Sequence, residues 1–344
     1  MEIVVESAYF VYVLGLSFDK VCLTLQFLQN LRVGKTQADA LLRQLARHWQ
    51  QEFAVLCTLL ANSLVDHTDE TSWSIKSVWA FLSEKARVLF FGVSKDANTL
   101  HEVLDPQTFA GVVISDDAAV YAHFRRAQKC WAHRLRKAIK LTLQEPPNLA
   151  YRQFTDRLLA IYRRACRVRR DGRLSDAGRA RKVAALDDAI LELCAPVWLL
   201  ELPPLPDSPE NNYRLLVNEE MRLLLDQQLF TFVTTKSATQ PNRQSVPVSG
   251  TNNEAERTLR GAATARKTGR TNKTPVGARR QTIIVSVLES LRLYLPNFTL
   301  VGISDEIKRW WQAGPSCFTR LLKKMKLPYP SESVLDKVLP APDG

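Results

Sequence analysis

Apolar positions recur with helical spacing near the start of the chain. Val21, Leu23, Phe27 and Leu28 follow Leu16-Ser17, where Ser17 suits a cap, and predict a helix through about Gln29. Asn30–Gly34 predicts a turn, and a second helix runs on from Thr36 through Leu41, Leu42 and Leu45. Such a pair serves either as a helix-turn-helix that reads DNA or as a packing or dimerisation arm. The pattern changes after residue 60. Val78–Leu82 and Val88–Val93 are short apolar, aromatic-rich runs on either side of the polar Ser83–Arg87, which is a hairpin signature. A short helix is expected over Ala97–Leu104. Gly111–Ser115 then reads as a buried strand that delivers Asp116 at its C-terminal end. Residues 145–235 read as mostly helical, punctuated by Pro146-Pro147 and Pro203-Pro204-Leu205-Pro206. Residues 236–251, rich in Ser, Thr, Asn, Gln and Pro, read as a loop. Another helix begins at Glu254, and Ala278–Tyr294 reads as a long amphipathic helix ended by Pro296. The Pro-rich stretch after Lys326 is expected to be loosely ordered. Strands, a helix, a further strand and many later helices predict an α/β fold.

Charge narrows the class of partner. The 344 residues are enough for two or more domains, and the formal net charge is +12. That balance favours polyanions, nucleic acid first and an anionic membrane surface second. The charge is segregated. Seven Lys or Arg and no acid fall within 118–144, eleven bases and three acids within 152–182, and eight bases and no acid within 257–280. Basicity gathered this way is a footprint rather than an evenly solvated surface. The six cysteines are scattered without a Cys-x-x-Cys pair and read as reduced thiols. Glu2 and Glu6 argue against a signal peptide, and no apolar run approaches a bilayer span. A soluble cytoplasmic protein with no membrane partner is expected, associated with the nucleoid when bound to DNA.

Three separated acidic sites stand out in this basic chain: Asp69-Glu70-Thr71, Ser115-Asp116-Asp117 and Asn252-Asn253-Glu254-Ala255-Glu256-Arg257. Mg2+ prefers hard oxygen ligands, and three carboxylates can hold two ions. One ion would activate water or a 3′-hydroxyl, and the other would stabilise the leaving oxygen. The chain has 35 Asp and Glu, so spacing alone favours ordinary surface acids. Context shifts the weighing, because Asp69 and Asp116 fall in or at the ends of strands and Glu256 sits on a helix among bases. Arg257, Arg260, Arg266, Lys267 and Arg270 follow with no acid before Glu289, which points to phosphate contact. Asn252 and Asn253 suit the cap of the helix that carries Glu256. Arg163, Arg164, Arg167 and Arg170 share a helical face opposite Leu158, Leu159 and Tyr162, a surface suited to holding DNA. Cys130 and His133 would make half a zinc site but lack a second pair nearby. Cys130 and Trp131 are read as core, as is Trp198, and His133 as lying near the catalytic pocket or a phosphate.

In their order these stretches resemble the DDE transposases of bacterial insertion sequences, of the sixty-six type. Asp69-Glu70-Thr71-Ser72-Trp73 resembles the family's first acidic motif. Gly111–Asp116 with Tyr121 resembles the second. Cys130-Trp131-Ala132-His133 with Arg136 resembles the block that follows it. Leu229-Phe230-Thr231-Phe232 and then Asn252–Arg257 resemble the third, and Arg266-Lys267 with Gly277 matches the downstream basic block. The resemblance runs roughly from Ser63 to Leu295. It implies a ribonuclease-H-like mixed sheet with a large all-helical insertion between the second Asp and the Glu, plus helical N- and C-terminal segments. It implies catalytic and metal-binding roles for Asp69, Asp116 and Glu256, with Mg2+ as cofactor and Mn2+ as substitute. Tyr121 selects Asp116 over Asp117, and the pattern Asn-Asn-x-Ala-Glu-Arg selects Glu256 over Glu254. Asp117, Glu254 and Glu70 are the alternatives. The implied organisation is a helical N-terminal segment over 1–60, the core over 61–144 and 251–300, a basic helical insertion and loop over 145–250, and a C-terminal tail over 301–344.

The implied activity is metal-dependent cleavage at transposon ends and strand transfer to target DNA, by a homo-oligomer on DNA. Family members usually carry an upstream cysteine cluster and further DNA-binding sequence, which this chain lacks. Recognition of the ends therefore leaves two readings, a truncated copy or dependence on an accessory element-encoded protein. Two rival readings are an inactive or truncated DNA-binding remnant and a ribonuclease-H-like nuclease without strand transfer.

Overall fold

The computed structural model describes residues 1–198, 205–242 and 245–339, so the expected break at Pro203-Pro204 lies outside the described residues. The chain divides into two compact units. The first comprises residues 1–111, 238–246 and 254–344, and the second residues 112–237 and 247–253. Its strands and many helices make the protein mixed α/β.

The first unit begins with helices α1 (Glu2–Tyr12), α2 (Phe18–Gln29) and α3 (Lys35–Ala61). Ser17 caps α2 by accepting the Lys20 N–H, as the sequence predicts, and Asn30 closes it in the left-handed conformation. Strands β1 (Val65–Ser72), β2 (Ser77–Ser83) and β3 (Arg87–Val93) follow, then α4 (Ala97–Val103). The expected hairpin is β2–β3. β1 pairs antiparallel with β2 and β2 with β3, so that Asp69 lies opposite Ala80 and Ala80 opposite Leu89.

In the second unit β4 (Val112–Ser115) pairs in parallel with β5 (Ala127–Lys129). The helices α5 (Trp131–Gln144), α6 (Leu149–Arg170), α7 (Asp176–Trp198), α8 (Pro209–Leu225) and the single turn α9 (Thr231–Thr234) complete it. Trp131 stacks on Tyr162 of α6 with ring centres 5.1 Å apart, packs on Phe230, and donates its indole N–H to the Leu229 carbonyl. The Leu229–Phe232 motif therefore builds core around the start of α5.

The chain returns to the first unit through the two-residue strands β6 (Ala238–Thr239) and β7 (Ser245–Val246). It continues as α10 (Asn253–Lys267), α11 (Pro275–Tyr294), α12 (Leu300–Ala313), α13 (Cys317–Lys324) and α14 (Val334–Val338). One face of the three-stranded ladder carries Val78, Ala80, Leu89 and Phe91, clustered with Leu259 and Ala262 of α10 and with Ala278 and Val285 of α11. The other face carries Phe81 and Phe90, packed edge-on with each other, and Phe90 meets Phe53 of α3 edge-on. Both faces are thus covered, which is why β2 is buried along its whole length.

Four expectations change. The stretch 236–251 is not wholly a loop, since Ala238 and Thr239 pair with Val246 and Ser245. Trp198 is not core: it ends α7 beyond the buried Leu193 and Cys194 and is 46% exposed. α11 is buried nearly all round rather than amphipathic, because it is packed both against β3 and against α3. Among the described residues, the stretch after Lys326 is packed down, with Leu335 and Leu339 buried and Asp336 paired with Arg279 at 2.5 Å. α1 lies within the stretch 1–60 expected to be helical, although no side-chain cap marks its start.

Candidate catalytic carboxylates and basic surfaces

β1 is buried from Val65 to Thr68 and emerges at Asp69, which is half-buried. Residues opposite each other in an antiparallel ladder project to the same face. Asp69, opposite Ala80, therefore shares the face of Val78, Ala80, Leu89 and Phe91. That face is covered by α10 through Leu259 and Ala262. Glu256 lies one helical turn before Leu259 and so on the same side of α10. The fold brings Asp69 and Glu256 to one face of one sheet, from residues far apart in sequence. Asp69 Oδ1 accepts the Glu70 N–H at 2.9 Å.

The alternatives in this unit are otherwise engaged. Glu70 lies opposite Trp79, on the other face, and pairs with Lys95 at 2.9 Å. Glu254 pairs with Arg87 at the start of β3 at 2.6 Å. Both partners of that second pair are partly exposed, so it stabilises by no more than about 1 kcal/mol. Its effect is positional, tying the first turn of α10 to the sheet.

Asp116 stands in the second unit, immediately after β4. Its Oδ1 accepts the Ala118 N–H at 3.0 Å, which fixes the turn leading to Tyr121. Asp117 pairs instead with Arg222 of α8. Lys129, opposite Ser115 in the parallel register, is 3% exposed and was not anticipated from sequence. Its Nζ donates to Ser115 Oγ at 3.2 Å and to the Asp116 carbonyl at 3.1 Å, and it lies over the Tyr121 ring. Burial pulls its pKa down to about 8, against the opposing effect of Asp117 and Asp116. Its place directly before Cys130-Trp131-Ala132-His133 was the available signal.

Cys130 and Trp131 are buried, as expected. Burial raises the Cys130 thiol pKa, but the His133 side chain and the Asn252 and His133 N–H groups together outweigh it, so the thiol lies below its usual value. One residue beyond His133, Arg134 lies over the Trp131 ring and donates to the Lys129 carbonyl at 3.0 Å. Its Nε lies 3.2 Å from Oε1 of the fully buried Glu220.

Arg163, Arg164, Arg167 and Arg170 are all exposed on α6, while Leu158 is buried. In the first unit Arg257, Arg260, Arg266, Lys267 and Arg270 are exposed. Two of these also hold the backbone: Arg266 donates to the Ser72 carbonyl at 2.9 Å and Arg270 to the Gly15 carbonyl at 3.0 Å. A further basic tract escaped the sequence reading. From Ile307 to Leu327 there are six Lys or Arg, Lys308 the first of them, and no acid. Among the described residues, no helix is long and apolar enough to cross a membrane.

Residues 2–280 match the family described as Transposase IS66 family. Neither a curated protein nor a solved structure matches the chain.

Proposed function

The chain belongs to the IS66 transposase family, and from that premise we propose that it cleaves DNA at transposon ends and joins the freed 3′-hydroxyl to target DNA. The observation that carries this reading is the shared sheet face of Asp69 and Glu256, with Glu70 turned to the opposite face and Glu254 tied to Arg87. The order of antiparallel strands, helix and Asp116-bearing strand supports a ribonuclease-H-like core interrupted by the helices α5–α8.

Asp69, Asp116 and Glu256 are the ligands in this proposal. Their donor atoms are carboxylate oxygens, which fit Mg2+ or Mn2+. When bound, the metal supplies Lewis acidity for phosphodiester chemistry. The chain's own residues do the rest. Lys129 pins the carbonyl of Asp116 and so orients the start of the turn that carries its carboxylate. Arg222 holds Asp117 aside. The exposed arginines of α6 and α10 grip the phosphate backbone of the transposon end and target, and set register rather than read bases. A homo-oligomer on DNA and an accessory element-encoded protein complete this picture.

The test is Mg2+-dependent nicking and joining of an oligonucleotide that carries the transposon end. The wild-type chain should give both products, and Asp116→Ala should give neither while still binding DNA. Full cleavage by Asp116→Ala would remove the assignment. Nicking without a joined product would favour a hydrolytic nuclease, and binding without nicking an inactive remnant.

A further inference from the structure

One cavity of the first unit lies outside everything assigned so far. It encloses about 790 Å³ beside the C-terminal end of α11. Four cationic side chains from three separate elements line it: Lys85 of the β2–β3 turn, Arg309 of α12, and Arg320 and Lys324 of α13. The match to the family ends at residue 280, before α12 and α13 begin.

The arginines are held in place from behind. Glu306, 2% exposed, accepts from Arg320 Nη2 at 2.9 Å, from Arg309 Nη1 at 2.5 Å, from the Trp310 indole at 2.8 Å and from the Cys317 N–H at 3.0 Å. A guanidinium has five N–H donors. Glu306 takes one from each arginine, and the Pro315 carbonyl takes one more from Arg320. Donors remain on both groups, which are already oriented and hence bind at a lower entropic cost. Lys85 pairs with the buried Glu84 at 2.5 Å, so four cations stand against two buried carboxylates and the cavity keeps a net positive charge. Lys323 of α13 and Lys326 just after it are exposed and add further positive charge to this segment. Pro241, Leu295 and Leu321 place apolar surface between the cations. Phosphate alternating with apolar sugar is the chemistry of a nucleic-acid backbone, and inorganic phosphate would leave the apolar surface unused.

We infer that this cavity is a second DNA-backbone site, built by α12 and α13 and separate from the basic faces of α6 and α10. The inference rests on the transposase reading for the identity of the nucleic acid.

Lysine acetylation of the full chain, read by mass spectrometry, tests it. A duplex bearing the transposon end should protect Lys324 at low salt and lose that protection at high salt. ATP or pyrophosphate at equal phosphate concentration should protect it far less. In fluorescence anisotropy Lys324→Glu should weaken duplex binding several-fold. Lys324→Gln should flatten the dependence of log K on log salt by about 0.9, the slope due to one neutralised phosphate. Unchanged thermal melts of both variants would confirm that they fold. Equal acetylation with and without DNA, protection by the free nucleotide alone, or unaltered affinity and salt slope in both variants would each overturn the site. Those results, with wild-type DNA binding intact, would leave the transposase reading standing. A wild-type chain that binds no DNA would defeat both.

Discussion

Ser286 of α11 presents its hydroxyl oxygen to the backbone N–H of Leu89, on the edge strand β3, at 2.9 Å. One turn to either side, Thr282 and Ser290 do the same for Phe91 and Arg87, each at 2.9 Å. The i, i+4 spacing of the three hydroxyls matches alternate residues of the strand. Ser286 and Ser290 also donate back to the carbonyls of Leu89 and Arg87. A helix thus satisfies backbone groups that an edge strand would otherwise leave open to pairing with another chain. Ser286→Ala should strand a buried N–H and destabilise the protein by about 1–3 kcal/mol. Chemical denaturation measures this directly. A midpoint equal to wild type would show that the ladder contributes nothing.

The carboxylate assignment separates neighbours in sequence. Asp69→Asn and Glu256→Gln keep side-chain size and should abolish metal-dependent cleavage while leaving DNA affinity largely intact. Glu254→Gln removes only the partly exposed pair with Arg87, worth no more than about 1 kcal/mol, and should remain active. A cleavage assay on the three variants decides the matter. An inactive Glu254→Gln beside an active Glu256→Gln would reverse the choice.

Asp66 should make stability fall as pH rises. It is fully buried, its Oδ1 has no partner among the described residues, and burial pushes its pKa up to about 7 despite the hydrogen bond from Thr68. Folding therefore favours the protonated form. The contribution is complete below the unfolded value near 4 and is lost as pH climbs through 7. Asp66→Asn, permanently neutral, should lose up to a few kcal/mol less than wild type between about pH 5 and 8. Parallel denaturation curves across that range for the two proteins would contradict this origin.

The α6 arginines should act through charge alone. Replacing Arg163, Arg164, Arg167 and Arg170 together by Ala should weaken binding to any duplex. The slope of log K against log salt should flatten by about 0.9 for each phosphate no longer neutralised. The exposed positions predict little change in thermal stability. Anisotropy titrations between about 50 and 200 mM salt provide the measurement. An unaltered slope would place the DNA elsewhere.

By itself the chain determined most of the local structure. Ser17 capping α2, the polar turn between β2 and β3, and the strand ending at Asp116 depend on neighbours in sequence, and their patterns act over a few residues. The ordered motifs also led to the family, because a series of short signatures is far more specific than any one of them. Tertiary structure alone decided which of two adjacent acids faces α10. Asp69 and Glu70 differ by one position, and only pairing with Ala80 and Trp79 assigns them to opposite faces. It also decided the packing of α11, whose serines look like solvent-facing positions until β3 supplies their partners. The same holds for the tail beyond Lys326, which Leu335 and the Arg279–Asp336 pair fasten down, and for the basic cavity that Glu306 organises. Each of these turns on pairings between residues that stand well apart in the chain, and periodicity carries no information about which distant surface a side chain will meet.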